Sequence, residues 1–102
     1  MTEKKGMSKN LDGLLSSTPE VRHGRPCVAG TGITVHRIAI LYKLGHSPEE
    51  IVRKYEHLDA AGVYAALAYY HANQAKVDAE IASDEAEADR VEGEYLHQRD
   101  VA

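Results

Sequence analysis

Hydrophobic and polar positions change rhythm three times along the chain. Residues 1–18 are polar, with Gly6, Gly13 and the cluster Ser16, Ser17, Thr18, and read as a flexible arm carrying Lys4, Lys5 and Lys9. Nothing in residues 1–6 has the pattern of a structural element, so Met7 is an alternative start to Met1. In residues 20–35 short apolar pieces alternate with turn residues. Val21, Cys27 with Val28, and residues 33–35 are candidate strand positions; Gly24 and residues 30–32 are the turns between them. Pro26 fixes its own φ and biases Arg25 toward extended backbone. So much constrained backbone just before a helix predicts a compact platform that sets the helix's entry angle.

From Val35 the spacing becomes helical. A first helix is predicted over residues 35–44, with Thr34 as N-cap, Gly45 as C′ residue and an apolar stripe of Val35, Ile38, Leu41 and Tyr42. "SPEE" opens a second: Ser47 caps, Pro48 takes the first helical position, and Glu50 closes a capping box. Ile51, Val52 and Tyr55 are its apolar side. A third begins at Asp59, with Leu58 and Val63 at hydrophobic-staple spacing. Its seam runs Val63, Leu67, Tyr70, Gln74, Val77, Ile81, in heptad-like steps. Residues 60–72 are apolar nearly all round, which predicts burial on every side. A three-helix core covers one face, so Tyr64, Leu67, Tyr69 and Tyr70 are candidate contacts with a second copy. The alternative is that alanine serves there only as a helix former.

Beyond Asn73 the seam narrows and acids accumulate. "DAEIASDEAEADRVEGEY" has high helix propensity but little apolar surface, so it is either a solvated helix or a segment that orders on binding. Ala88, Val91 and Tyr95 recur at i, i+3, i+7, the spacing of a helix laid in a groove. The domain organisation expected is an arm at 1–18, a helical domain at 19–82 and an acidic tail at 83–102.

Charge sharpens this division. Residues 1–54 carry nine Lys/Arg and five Asp/Glu; residues 55–102 carry three and eleven. Opposite charge in two halves suggests two partners of opposite character, or simply soluble acidic helices. One cysteine, Cys27, excludes an intrachain disulfide. No run is apolar enough to span a bilayer and no signal-peptide pattern is present, so a cytoplasmic protein is expected. Phe and Trp are missing, and six Tyr make up the aromatic content.

Catalytic chemistry is hard to find. "AGTGITV" contains Gly-x-Gly, but Val35 stands in place of a third glycine, and no Lys-Ser/Thr pair makes a phosphate loop. His23, Cys27 and His36 match no zinc spacing, and six scattered histidines read as surface or capping residues. Glu49 and Glu50 serve the helix dipole. No nucleophile has a base beside it. Neither an enzyme nor a bound metal or cofactor is expected. The three capped helices instead outline a helix-turn-helix. Arg22, Arg25, Arg37, Lys43, Arg53 and Lys54 are candidate phosphate contacts, while the third helix offers few base-reading side chains.

The sequence resembles the domain-of-unknown-function family 433. The family pattern runs approximately "PEI-x-x-G-x-P-x-I-x-G-T-R-I-x-V", a helix, "G-x-S-x-E-E-I", "Y-x-x-L" and "V-x-x-A-L-x-Y-Y". Here its first part is Pro19, Glu20, Val21, Gly24, Pro26, Val28, Gly30, Thr31, Ile33 and Val35. It continues in Gly45, Ser47, Glu49, Glu50, Ile51, Tyr55, Leu58, Val63, Ala66, Leu67, Tyr69 and Tyr70. The likeness covers residues 18–82; one departure is Gly32, where the pattern has Arg. The resemblance implies a mainly α fold: a homeodomain-like helix-turn-helix core with short N-terminal β-strands and a C-terminal helical extension. It also implies a VapB-type antitoxin that silences a PIN-like ribonuclease toxin through its C-terminal part and binds operator DNA as a homodimer through its N-terminal part. On that view Val77, Ile81, Ala88, Arg90, Val91 and Tyr95 are the candidate toxin contacts. The competing readings are a stand-alone DNA-binding regulator and a protein-interaction adaptor that never touches DNA.

Overall fold

The computed structural model describes residues 13–101, with the side chains of residues 13–97. Lys4, Lys5, Lys9, Met7 and most of the expected arm lie outside the described residues. Among the described residues the architecture is mainly helical: four α-helices, one 3-10 turn at Arg22–Gly24 and a two-stranded antiparallel sheet. The chain divides into two compact units at 72/73. That division falls ten residues before the 82/83 boundary suggested by the sequence.

In the first unit, β1 (Leu15–Ser16) pairs with β2 (Cys27–Val28), Leu15 opposite Val28 and Ser16 opposite Cys27. β1 thus takes two residues expected in the arm. Val21 forms no strand, and of residues 33–35 only Thr34 bridges, to Cys27. Val35 has already entered a helix. The reason is in the backbone: Val35 N–H donates to Pro26 O (3.0 Å) and Val28 N–H to Ile33 O (2.9 Å). The segment folds back on itself and leaves no length for a third strand. Thr31 tightens this turn, donating from Oγ1 to Val28 O (2.8 Å) and accepting from Ile33 N–H (3.0 Å). Gly30 sits at φ 79, in the left-handed region that glycine enters without steric cost.

α1 (Val35–Lys43) starts at Thr34, whose side chain accepts from Arg37 N–H. It ends in a Schellman motif: His46 N–H donates to Leu41 O (3.1 Å) and Gly45 N–H to Tyr42 O (3.0 Å), with Gly45 at φ 102. α2 (Pro48–Lys54) carries the complete capping box: Glu50 N–H donates to Ser47 Oγ (3.1 Å) and Ser47 N–H to Glu50 Oε1 (2.8 Å). The backbone bond from Ser47 is the main influence holding the Glu50 carboxyl below its ordinary pKa. A lowered carboxylate stabilises the fold above its unfolded pKa, and the contribution is lost as pH falls through the folded value. Ser47→Ala removes the other half of the box, the Oγ that accepts from Glu50 N–H, and is expected to cost about 1 kcal/mol. Glu50→Gln removes the Glu50 charge, and thermal melts should show wild type's advantage over this variant shrinking as pH falls through the folded value, which lies below the ordinary carboxylate range; an advantage that grows on acidification would overturn this.

α3 (Ala60–Ala72) begins at Asp59, whose Oδ1 accepts from Gly62 N–H (2.8 Å). It is the central element of the unit and touches α1, α2 and both strands. Val35, Ile38, Ala39, Ile51, Val63 and Ala66 have no exposed surface and form the core, with Cys27, Val28 and Leu58 nearly as deep. α3 is not buried on every side as its composition suggested. Ala61, Tyr64, Ala68, His71 and Ala72 are exposed, because alanine covers a helix face without requiring a neighbour. The seam expected to run unbroken to Ile81 is interrupted at Asn73, which is not helical.

The second unit is one helix, α4 (Gln74–Val101). The acidic segment is therefore helical along its length.

Candidate functional site

Two features gather charged or apolar chemistry at the surface: the turn-rich platform ahead of α1 and the acidic helix α4.

The platform begins with a run of turns. Val21 N–H donates to Thr18 O, Gly24 N–H to Val21 O and Arg25 N–H to Arg22 O, at 2.9, 3.0 and 3.1 Å. Ser17 Oγ closes the run by donating to Gly24 O (2.9 Å). Arg22 (φ 50), His23 (φ 58) and Gly24 (φ 82) are successive left-handed residues. For the two non-glycine residues this is a strained conformation, held by the surrounding bonds. It turns the Arg22 side chain across the loop, where Nε donates to Gly32 O (3.0 Å). A Cβ at Gly32 would lie 3.7 Å from Arg22 Nη2, so a guanidinium already covers the position where the family pattern carries arginine. Burial pushes the Cys27 thiol pKa up, and the charge of Arg22 offsets only part of that rise.

The six candidate phosphate contacts fall in four places. Arg22 and Arg25 belong to the platform, Arg25 half-buried; Arg37 is exposed on the first turn of α1. Lys43 is exposed on the last turn of α1, about 12 Å along the helix from its start. Arg53 and Lys54 are exposed on the last turn of α2. The exposed side of α3 has no Lys, Arg, Asn or Gln; His71 is its polar side chain beyond the tyrosines. His71 meets Tyr42 edge-on at 5.7 Å.

The four tyrosine and leucine positions singled out for self-association separate into two classes. Leu67 and Tyr70 are buried within the chain, 6% and 2% exposed. Tyr64 is exposed and Tyr69 half-exposed, so these two retain surface for a neighbour. Tyr64 OH donates to Glu49 Oε2 (3.0 Å), which raises the phenol pKa and links α3 to α2. His36, read from the sequence as a surface or capping residue, is buried in α1. Helical spacing puts it beside Ala39, at the edge of the buried arc of α1. Among the described residues no group of histidine, cysteine and acidic side chains is arranged to hold a metal.

On α4, Val77 and Ile81 are buried. Ala88, Arg90, Val91 and Tyr95 are exposed, and a shallow hollow is lined by Asp84, Glu87, Ala88, Val91, Glu92 and Tyr95. The expected contact row is thus open in its outer half and closed in its inner half. Arg90 is held by Glu87 and Glu94, each at 2.6 Å, which raises its pKa. No helix among the described residues is long and apolar enough to cross a membrane.

These features define a small, mainly helical protein whose three-helix unit carries a strained two-stranded platform. The family is shown by residues 15–70, which match the model described as "Protein of unknown function (DUF433)", and the chain belongs to that family. It is similar to the "Uncharacterized protein y4eO" of Sinorhizobium fredii (strain NBRC 101917 / NGR234), 33% identical over 75 residues. That stretch is 68% of this chain and 34% of the relative, so the chain spans about a third of the relative's length. It is also similar to a DUF433 member protein from Anabaena variabilis of known crystal structure, with TM-score 0.64, 30% identity and 71% of each chain covered.

Proposed function

We propose that this chain is the antitoxin of a toxin–antitoxin pair, with a homeodomain-like helix-turn-helix in its first unit and a toxin-binding element in α4. The toxin is a PIN-like ribonuclease. The observation that carries the reading is the exposed row Ala88, Val91, Tyr95 on a helix whose unit holds nine acidic residues against three basic ones. An apolar row set in carboxylates suits a nucleic-acid-binding enzyme, whose surface is basic where it meets phosphates. Co-expression with the product of the adjacent reading frame tests it: the two proteins co-purify and growth is restored. A neighbour that is no nuclease, or that fails to co-purify, overturns it.

Operator binding belongs to the same proposal and falls to the basic residues of the first unit. Arg25, Arg37, Arg53 and Lys54 are the side chains to neutralise together. Retardation of DNA by wild type weakens steeply with salt, and each lost phosphate contact lowers the slope of log K against log salt by about one. A fourfold variant that retards DNA as well as wild type sinks the DNA part. One observation favours the second reading, an adaptor that never touches DNA: the exposed side of α3 lacks base-reading side chains. Under that reading wild type itself shows no retardation at low salt.

A further inference from the structure

We infer that the outer half of α4 pairs with a helix of a different protein, one whose apolar seam is bordered by Lys and Arg. The inference rests on the reading of α4 as the partner-binding element, and it names the chemistry of the partner. Steps of four and three residues along α4 place Ile81, Ala88 and Tyr95 at a positions and Val77, Asp84 and Val91 at d positions of a heptad. Val91 and Tyr95 are 50% and 59% exposed, so the outer part of this seam has surface to offer.

The flanking positions decide what can cover it. The e positions are Asp78, Glu85 and Glu92. The g positions are Glu80, Glu87 and Glu94. Every flank is a carboxylate. In a parallel pair g residues face e residues of the other helix; in an antiparallel pair e faces e and g faces g. A second copy of α4 therefore sets acid against acid in either orientation, and Asp84 would bury a further charge in the seam. Arg90 bonds Glu87 and Glu94, both of the g row. Exposed intrahelical pairs of this kind are weak and do not exclude a further cation. The complement of the surface is an apolar seam with cations on both borders, a requirement that a second copy of this helix does not meet.

Three synthetic heptad peptides test this against the full chain: one with an apolar seam and Lys at every e and g, one with the same seam and Glu there, and one with the Lys composition scrambled so that no seam exists. The Lys-flanked peptide binds, and the Glu-flanked one is weaker by roughly a hundredfold. Binding falls with salt. The exposed pair Val91→Asp with Tyr95→Ala reduces affinity at least about tenfold, with helix content unchanged by circular dichroism. Equal binding of the scrambled peptide shows charge attraction without a seam and overturns the inference. So does a fall in sedimentation mass of the chain alone on Val91→Asp, which reveals self-pairing through α4. If the Lys-flanked peptide fails while the neighbouring nuclease is still bound, the partner chemistry is wrong and the antitoxin reading stands. If the peptide binds and the nuclease does not, the reverse holds.

Discussion

Gly62→Ala lowers the stability of the helical unit, although alanine is the better helix former. A Cβ built at Gly62 lies 2.5 Å from Val28 Cγ1 and 3.2 Å from Asp59 Oδ1. Val28 is 4% exposed and β-branched, so its methyl has neither space nor a second comfortable rotamer to retreat to. Asp59 is fixed as well, because its carboxylate caps α3 through Gly62 N–H. Overpacking of this kind costs about 1–3 kcal/mol, while the propensity gain of Gly to Ala is at most about 1 kcal/mol and smaller in the first turn. The expected net loss is about 1–2 kcal/mol, or roughly 4–8 °C in Tm for each kcal/mol in a domain of this size. Val28→Ala alone also destabilises, by opening a cavity. In the double variant the added methyl fills part of that cavity, so its loss is smaller than the sum of the two single losses. Additive losses in a double-mutant cycle would show that α3 and β2 do not meet at this point.

The starts of α1, α2 and α3 and the end of α1 were legible because each is marked by a local bond that the residue type announces, whereas the break between α3 and α4 at Asn73 carries no such mark. Ser47 with Glu50, Asp59 and Gly45 all do in the structure what their side chains or backbone freedom dictate. Val35, Ile38, Leu41, Ile51 and Val63 are buried where helical spacing put them. The platform was harder, since strands of two residues have no periodicity to read. Its order comes from bonds between backbone groups distant in sequence, such as Ala29 N–H to Leu14 O, and these drew Leu15 and Ser16 out of the expected arm. α3 misled for a different reason. Alanine is apolar by composition yet tolerates solvent, so counting apolar positions overstated the covered surface. Leu67 and Tyr70, picked for a neighbouring copy, fill this chain's own interior instead. At the site, the charge of Arg22 was visible in the sequence. Its reach to Gly32 was not, because that depends on two non-glycine residues at positive φ.

If the chain is the proposed antitoxin, cutting it after Ser83 should abolish neutralisation of the toxin while leaving the helical unit folded. Residues 84–97 are all exposed, and the buried side chains of α4, Val77 and Ile81, stay in the shortened chain. What is lost is the open row of Ala88, Val91 and Tyr95 with the carboxylates of Glu85, Glu87, Glu92 and Glu94 around it. Those carboxylates do not make a stable structure by themselves, and the exposed ion pairs of Arg90 contribute little. On the proposed reading the carboxylates complement a basic surface: attraction speeds encounter, and the apolar row then slows dissociation. Two anchor side chains at the centre of an interface are worth about 2 kcal/mol each or more, so Val91→Asp with Tyr95→Ala in the full chain should weaken binding by roughly a thousandfold. Cells expressing the neighbouring nuclease grow with wild type and stop growing with either variant, while both variants keep a cooperative thermal transition. Arg90→Ala separates two ways of silencing the enzyme. If Arg90 were to enter the metal-binding carboxylates of the nuclease, it would first have to leave Glu87 and Glu94, and its loss would be as harmful as loss of the row. With the acidic rim as the determinant, removing one cation leaves neutralisation intact or improves it. Growth rescued by the chain cut after Ser83 would reduce the outer half of α4 to a solubilising element.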